Sequence, residues 1–170
     1  MTALAFRDMR PGDAEAARRV AGGDGWNPRP GLWGKYLQEQ ALGVRECLVG
    51  EAGGRIVAYG TLVWFPRYAP FLRDGVPEIQ DIAVAAPARG KGMGTALVAA
   101  FEARARAAGR GVMGIGVGLH AGYGAAQRLY VGLGYRPDGL GVTDGYRPVP
   151  PGRRVRVGDD LVLWMTRALA

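Results

Sequence analysis

At 170 residues, 48% hydrophobic and 22% charged, the chain is long enough to bury one full core and has the composition of a globular domain. It contains no serine, one cysteine (Cys47), one histidine (His120) and one asparagine (Asn27), which excludes a serine-histidine-aspartate hydrolase and an internal disulfide, and all but excludes a structural zinc site. The net charge of +7 comes from 20 arginines and 2 lysines against 15 acids and favours anions in general.

Ala3 to Asp8 alternates weakly and reads as a first strand. Pro11-Gly12-Asp13 follows, and Ala14 to Val20 reads as a helix ended by Ala21 to Gly25. A second helix is predicted over Leu32 to Leu42, where Leu32, Tyr36, Leu37 and Leu42 suit one buried face. Arg45 to Gly50 and Arg55 to Phe65 are apolar β-type runs, and Glu51-Ala52-Gly53-Gly54 between them signals a hairpin. Cys47, inside the first run, is expected to be a buried thiol rather than a nucleophile. Pro66 to Pro77 is a long aromatic loop, and loops of that kind tend to carry binding functions.

The central strand is Glu78 to Ala85. Pro87 ends it, and Arg89-Gly90-Lys91-Gly92-Met93-Gly94-Thr95 leads into a helix running to about Ala108 with Gly109 as its cap. The first turn of a helix has amides without intrahelical partners and a partial positive charge, so this junction suits a diphosphate, with Arg89 and Lys91 adding charge. An ordinary glycine-rich turn is the plainer alternative. A Gly-x-x-x-x-Gly-Lys-Ser/Thr loop is absent because Gly92 follows Lys91, and Gly90-x-Gly92-x-Gly94 lacks the spacing of a dinucleotide fingerprint. Val112 to Leu119 is a strand whose alternating Gly114, Gly116 and Gly118 bare one face to a ligand or another chain. A helix over Tyr123 to Leu133 and strands over Tyr135 to Val142 and Asp160 to Arg167 complete the chain, with a Pro, Gly and Arg-rich insert from Thr143 to Asp159.

The Arg89-x-x-Gly92-x-Gly94 signature, followed by Ala126-Gln127-Arg128-Leu129-Tyr130-Val131-Gly132-Leu133-Gly134-Tyr135, resembles the GNAT superfamily of N-acetyltransferases. The specific motifs lie within residues 78 to 136; the rest, from about Leu4 to Leu169, fits by order of elements. The resemblance implies one domain over 1–170 and an α/β (α+β) GNAT fold. Its mixed, largely antiparallel twisted sheet would have about six to seven strands flanked by about four helices. It also implies acetyl-CoA as cofactor, with the diphosphate at Arg89, Gly90, Lys91, Gly92, Met93, Gly94 and Thr95. The pantetheine arm would lie along Ile82, Ala83 and Val84, and Tyr123, Ala126 and Tyr130 would complete the cofactor contacts. The chain departs from the family twice. Gln80 stands where many members have a glutamate base, and Tyr123 where they often have a cofactor-contacting asparagine.

Acetyl transfer to an amine needs a neutral amine, a polarised carbonyl and a proton for the leaving thiolate. By the resemblance, a backbone N–H near Val84 polarises the carbonyl and Tyr130 gives the proton; packing as a core aromatic is the other role open to Tyr130. For the base, Glu78 shares a strand face with Gln80 and is the first candidate. Asp81 faces the other way in a regular strand but would turn round at a bulge. Bulk water is the third route. His120 lies on the acceptor side in the family, with a satisfied surface or core histidine as its plainer reading. Trp26, Trp33, Trp64, Tyr68, Phe71 and Gln80 border the acceptor pocket on the same resemblance, though aromatics also fill cores.

The expected activity is direct acetyl transfer in a ternary complex to a primary amine of a small molecule or peptide, with no metal. The alternative is a catalytically weak acyl-CoA-binding sensor or regulatory module. A basic domain contacting nucleic acid through Arg153, Arg154 and Arg156 is a third reading, but no aromatic-interleaved stripe accompanies that cluster, so no specific nucleic acid is expected. Without a signal pattern or an apolar run near about 18 residues, a cytoplasmic protein off the membrane is expected, and a homodimer is compatible with the sequence.

Overall fold

The computed structural model describes residues 5–23 and 29–169. In chain order the elements are β1 (Ala5–Asp8), α1 (Ala14–Gly22), α2 (Leu32–Ala41), β2 (Arg45–Ala52), β3 (Arg55–Val63), α3 (Ala69–Asp74), β4 (Glu78–Val84) and α4 (Met93–Ala107). Then come β5 (Val112–Gly118), α5 (Gly124–Gly132), β6 (Arg136–Asp144), β7 (Arg147–Pro148) and β8 (Leu161–Ala168). Among the described residues, the eight strands and five α-helices exceed the expected count by one each. The additional helix, α3, lies in the segment that reads as an aromatic loop. Pro70 sits in its first turn, where the missing N–H costs nothing, and Gly75 closes it at φ +65°. The additional strand, β7, is two residues inside the 143–159 insert.

The chain divides into two compact units, Met1–Trp64 with Ile79–Arg104, and Phe65–Glu78 with Ala105–Ala170. In the first, the strands run in the order β1-β2-β3-β4, with β1·β2 and β2·β3 antiparallel. β2 is buried along most of its length, which is why it reads as a nearly continuous apolar run. Cys47 and Val49 of β2 meet Ala17, Val20 and Ala21 of α1, Trp33 and Tyr36 of α2, and Tyr59 of β3 in one core. The rings of Trp33 and Tyr59 pack edge to face at 5.0 Å.

In the second unit the order is β5-β8-β6-β7, with all three pairs antiparallel. The bare glycine face of β5 is filled from within the unit. A Cβ on Gly114 would lie 2.3 Å from the Phe71 ring, one on Gly116 2.8 Å from Trp164, and one on Gly118 2.4 Å from Tyr123. Rings of this chain, rather than a ligand, therefore use the space that the glycines leave. Phe71, Tyr68 and Trp164 form the core beneath, with Tyr68 stacked on Trp164 at 4.2 Å. Gly114→Ala is expected to cost about 1–3 kcal/mol by overpacking against Phe71, read as a lower urea midpoint with an unchanged slope. Pairing it with Phe71→Leu should recover part of the loss; an unaltered midpoint in the single variant would show that the ring moves freely.

Candidate active site

Between β4 and α4 the backbone turns through Gly90 at φ +70° and Gly92 at φ +77°. A Cβ at either meets nothing within 4 Å, so glycine is needed there for its conformation rather than for lack of space. The first α-helical bond of α4 runs from the Ala96 N–H to the Gly92 carbonyl at 2.9 Å, which puts the amides of Met93, Gly94 and Thr95 in the first turn. Met93 turns its side chain into the core, whereas Thr95 is exposed. Arg89 Nε donates to the Val84 carbonyl at 2.8 Å and Lys91 Nζ to the Pro87 carbonyl at 2.9 Å, so two exposed cations stiffen the turn they charge. First-turn amides, left-handed glycines and paired cations together fit a diphosphate. Upstream, Ile82, Ala83 and Val84 are half-buried along β4.

β4 is not a regular strand. Asp81 has φ +55°, a left-handed conformation that non-glycine residues seldom adopt, and side-chain alternation breaks there. The Tyr36 hydroxyl of α2 donates a short hydrogen bond to Asp81 Oδ2. The Arg45 guanidinium of β2 lies 4.1 Å from the Tyr36 ring centre, and its Nε donates to Glu39 Oε2 at 2.6 Å. Its Nη1 donates to Thr61 Oγ1 at 2.7 Å and to Gln80 Oε1 at 3.3 Å. Gln80 is thus the oxygen partner of a buried arginine. Burial pushes the Asp81 carboxyl above its ordinary value near 3.8, against the lowering effects of the Tyr36 hydrogen bond and the Arg45 charge. Burial likewise raises the Tyr36 phenol and pushes the Cys47 thiol up to about 12, which leaves Cys47 an inert core residue. Glu78, at the start of β4, is only 3% exposed.

A carboxyl raised on folding binds more protons folded than unfolded, so its ionisation subtracts from stability as pH climbs past the unfolded value and through the folded one. Asp81→Asn removes that cost, and Asn tolerates a left-handed φ. The variant is expected to melt higher than wild type at pH 7, with the difference shrinking as pH falls toward 4. Equal midpoints at both values would contradict the raised carboxyl.

Tyr130 of α5 is 7% exposed, its carbonyl accepting from the Tyr135 amide at 3.0 Å and its ring 6.2 Å from that of Tyr135. The next group lies where β5 leads into α5. His120 Nδ1 accepts from the Gly122 amide at 3.1 Å, so in the neutral ring Nε2 carries the hydrogen directed at Asp159 Oδ1, 2.8 Å away. The Tyr123 hydroxyl donates to the same oxygen at 3.3 Å. His120 and Tyr123 therefore clasp the end of the 143–159 insert. Gln127 Nε2 donates to the Gly118 carbonyl at 2.8 Å, and Ala126 beside it is half-buried.

Of the aromatic acceptor candidates, Trp33, Tyr68 and Phe71 are buried in the two cores and Trp64 is half-buried; Trp26 lies outside the described residues. Tyr68 also donates to Asp138 Oδ2 at 2.7 Å, fixing its outer end.

The sequence model described as the acetyltransferase (GNAT) family matches residues 19–135. The chain belongs to this family. Solved GNAT-like structures superpose over nearly all of it. Ard1 from Thermoplasma volcanium has a TM-score of 0.75 at 19% identity, covering 99% of each chain. The yncA protein from Salmonella typhimurium, solved with its cofactor acetyl-CoA, has a TM-score of 0.70 at 22% identity over 99% of this chain and 95% of its own. A ribosomal-protein-alanine N-acetyltransferase from Brucella melitensis has a TM-score of 0.69 at 22% identity over 97% and 99%. No curated protein matches.

In this GNAT chain the structure brings together Gln80, Ile82, Ala83, Val84 and the Arg89 to Thr95 turn in the first unit, and Tyr123 with His120 in the second. It adds groups that sequence reading leaves out: Tyr36 and Arg45 around Asp81, and Asp159 on His120. Only the two-sided placement of Asp81 in regular or bulged β4 hints at the first of these.

Proposed function

We propose that this GNAT chain is an N-acetyltransferase that moves the acetyl group of acetyl-CoA directly to a primary amine of a small molecule or peptide, within a ternary complex. The left-handed glycine turn at the start of α4 carries the reading, because its backbone suits a diphosphate and no packing need explains it. Acetyl-CoA supplies an activated acyl group. The turn from Arg89 to Thr95 binds its diphosphate, the backbone of Ile82, Ala83 and Val84 orients the pantetheine arm, and the Val84 region polarises the carbonyl. Tyr123 and Ala126 border the cofactor, and Tyr130 protonates the departing sulfur.

β4 carries two carboxyls, Glu78 and Asp81, and one of them takes the proton the amine must lose. The Brucella melitensis neighbour, by its name an enzyme of protein alanine, supports a peptide amine as one acceptor class. Half-buried Trp64, together with Trp26, supports an acceptor with an apolar portion. We take the whole chain as one cytoplasmic domain. Among the described residues no helix is long and apolar enough to cross a membrane.

The occupation of Gln80 by Arg45 favours a second reading, a weak acyl-CoA-binding module without turnover. A panel of primary amines assayed for thiol release from acetyl-CoA separates the two. Release above hydrolysis with any amine supports the enzyme, and tight binding with none supports the module.

A further inference from the structure

We propose that Asp81, held by Tyr36, is the residue that takes the proton from the acceptor amine, in place of the glutamate that Gln80 lacks and in preference to Glu78. The assignment rests on the N-acetyltransferase reading. Three observations support it. Asp81 is the single described β4 residue with positive φ, at the point where the strand leads into the Ile82 to Val84 segment. Strain of that sort in a non-glycine residue persists where the surroundings over-determine it, and such residues cluster at functional sites. Next, a dedicated polar group surrounds the carboxyl: Tyr36 OH on Oδ2, with Arg45 over the same ring and itself tied to Glu39, Thr61 and Gln80. Oδ2 is committed to the phenol, so Oδ1 is the oxygen for the amine. Lastly, Asp81 as a residue keeps intermediate exposure, its carboxyl being the buried part, whereas Glu78 as a whole is only 3% exposed.

Its titration is set by burial, by the Tyr36 hydrogen bond and by the charge of Arg45, with Cys47 of β2 and Tyr59 of β3 near enough to feel the Asp81 charge in return. Arg45 is the one cation among them, and burial outweighs it, so the carboxylate is a stronger base than an exposed aspartate.

The step is a proton transfer. One N–H bond of the acceptor ammonium breaks, its electron pair stays on nitrogen, and an O–H bond forms on Asp81 Oδ1; water later removes that proton. The second proton lost as the nitrogen becomes an amide balances the one the thiolate gains through Tyr130. Tyr36 and Arg45 act as positioning residues.

The test combines carbon-13 NMR titration of aspartate carboxyls, assigned with Asp81→Asn, and pH profiles of kcat/KM for wild type, Asp81→Asn, Glu78→Gln and Tyr36→Phe. The acceptor is the best amine of the panel, and acetyl-CoA affinity is measured by calorimetry. The Asp81 carboxyl should titrate above 3.8. Asp81→Asn should lower kcat/KM by about 10²-fold and lose the acidic limb while binding acetyl-CoA within a few fold of wild type. Glu78→Gln should keep the limb. Tyr36→Phe should keep it but move it to higher pH, since the phenol's hydrogen bond lowers the carboxyl. An ordinary or lower Asp81 titration, or a wild-type limb in Asp81→Asn, overturns the assignment and leaves the transferase reading standing. Wild-type protein that turns over no amine overturns both.

Discussion

Tyr130→Phe is expected to lower kcat by about 10²-fold, about 2.7 kcal/mol of transition-state stabilisation, while acetyl-CoA affinity stays within a few fold. The substitution removes one oxygen from a side chain already 7% exposed, and the backbone bond between the Tyr135 amide and the Tyr130 carbonyl does not depend on the phenol. The backbone course of α5 should therefore survive, and far-UV circular dichroism should change little. Retention of kcat across the whole pH range would make Tyr130 a core aromatic and nothing more.

Gly92→Val should reduce acetyl-CoA binding by more than about 100-fold, since the first-turn amides of α4 and the charge-assisted bonds they make are each worth about 1.5–3 kcal/mol. The reason is conformational. Gly92 sits at φ +77°, where a β-branched residue is strained, while its Cβ would have open space. Relief of that strain rotates the turn and re-aims the donors. Because nothing collides, the fold should persist, with far-UV circular dichroism unchanged and calorimetric affinity lost. Wild-type affinity in that variant would remove the turn from the cofactor site.

The parts legible from sequence are those whose chemistry is local. Gly90 and Gly92 announce a left-handed turn because few other residues fit one, and the apolar stretches of β2 and β4 announce strands, buried in β2 and mostly half-buried in β4. The α3 helix was written in Pro70 and Gly75 too, but six residues are too few for a periodic signal. The Asp81 arrangement was not legible. An aspartate gives no local sign that it will take φ +55°, and its partner Tyr36 lies 45 positions earlier, in a helix whose tyrosine reads as one more apolar contact. The alternating glycines of β5 were visible, but what fills the space beside them was not. Phe71, Trp164 and Tyr123 are brought there by elements distant in sequence, so a face that reads as an invitation to ligand is a socket for aromatic rings.

That socket constrains the order in which this chain can change over evolutionary time. An alanine arriving first at position 114 collides with the Phe71 ring, whereas a smaller residue arriving first at position 71 opens a void beneath Tyr68 and Trp164. Each single step is penalised and the pair costs less than the two steps taken separately, so glycine and ring are inherited together. The same holds for Gly118 with Tyr123, whose hydroxyl also reaches Asp159. Replacement of Tyr123 by a smaller polar residue would therefore require both a filler beside Gly118 and a new closure for the end of the insert, which favours tyrosine at this position whatever the acceptor.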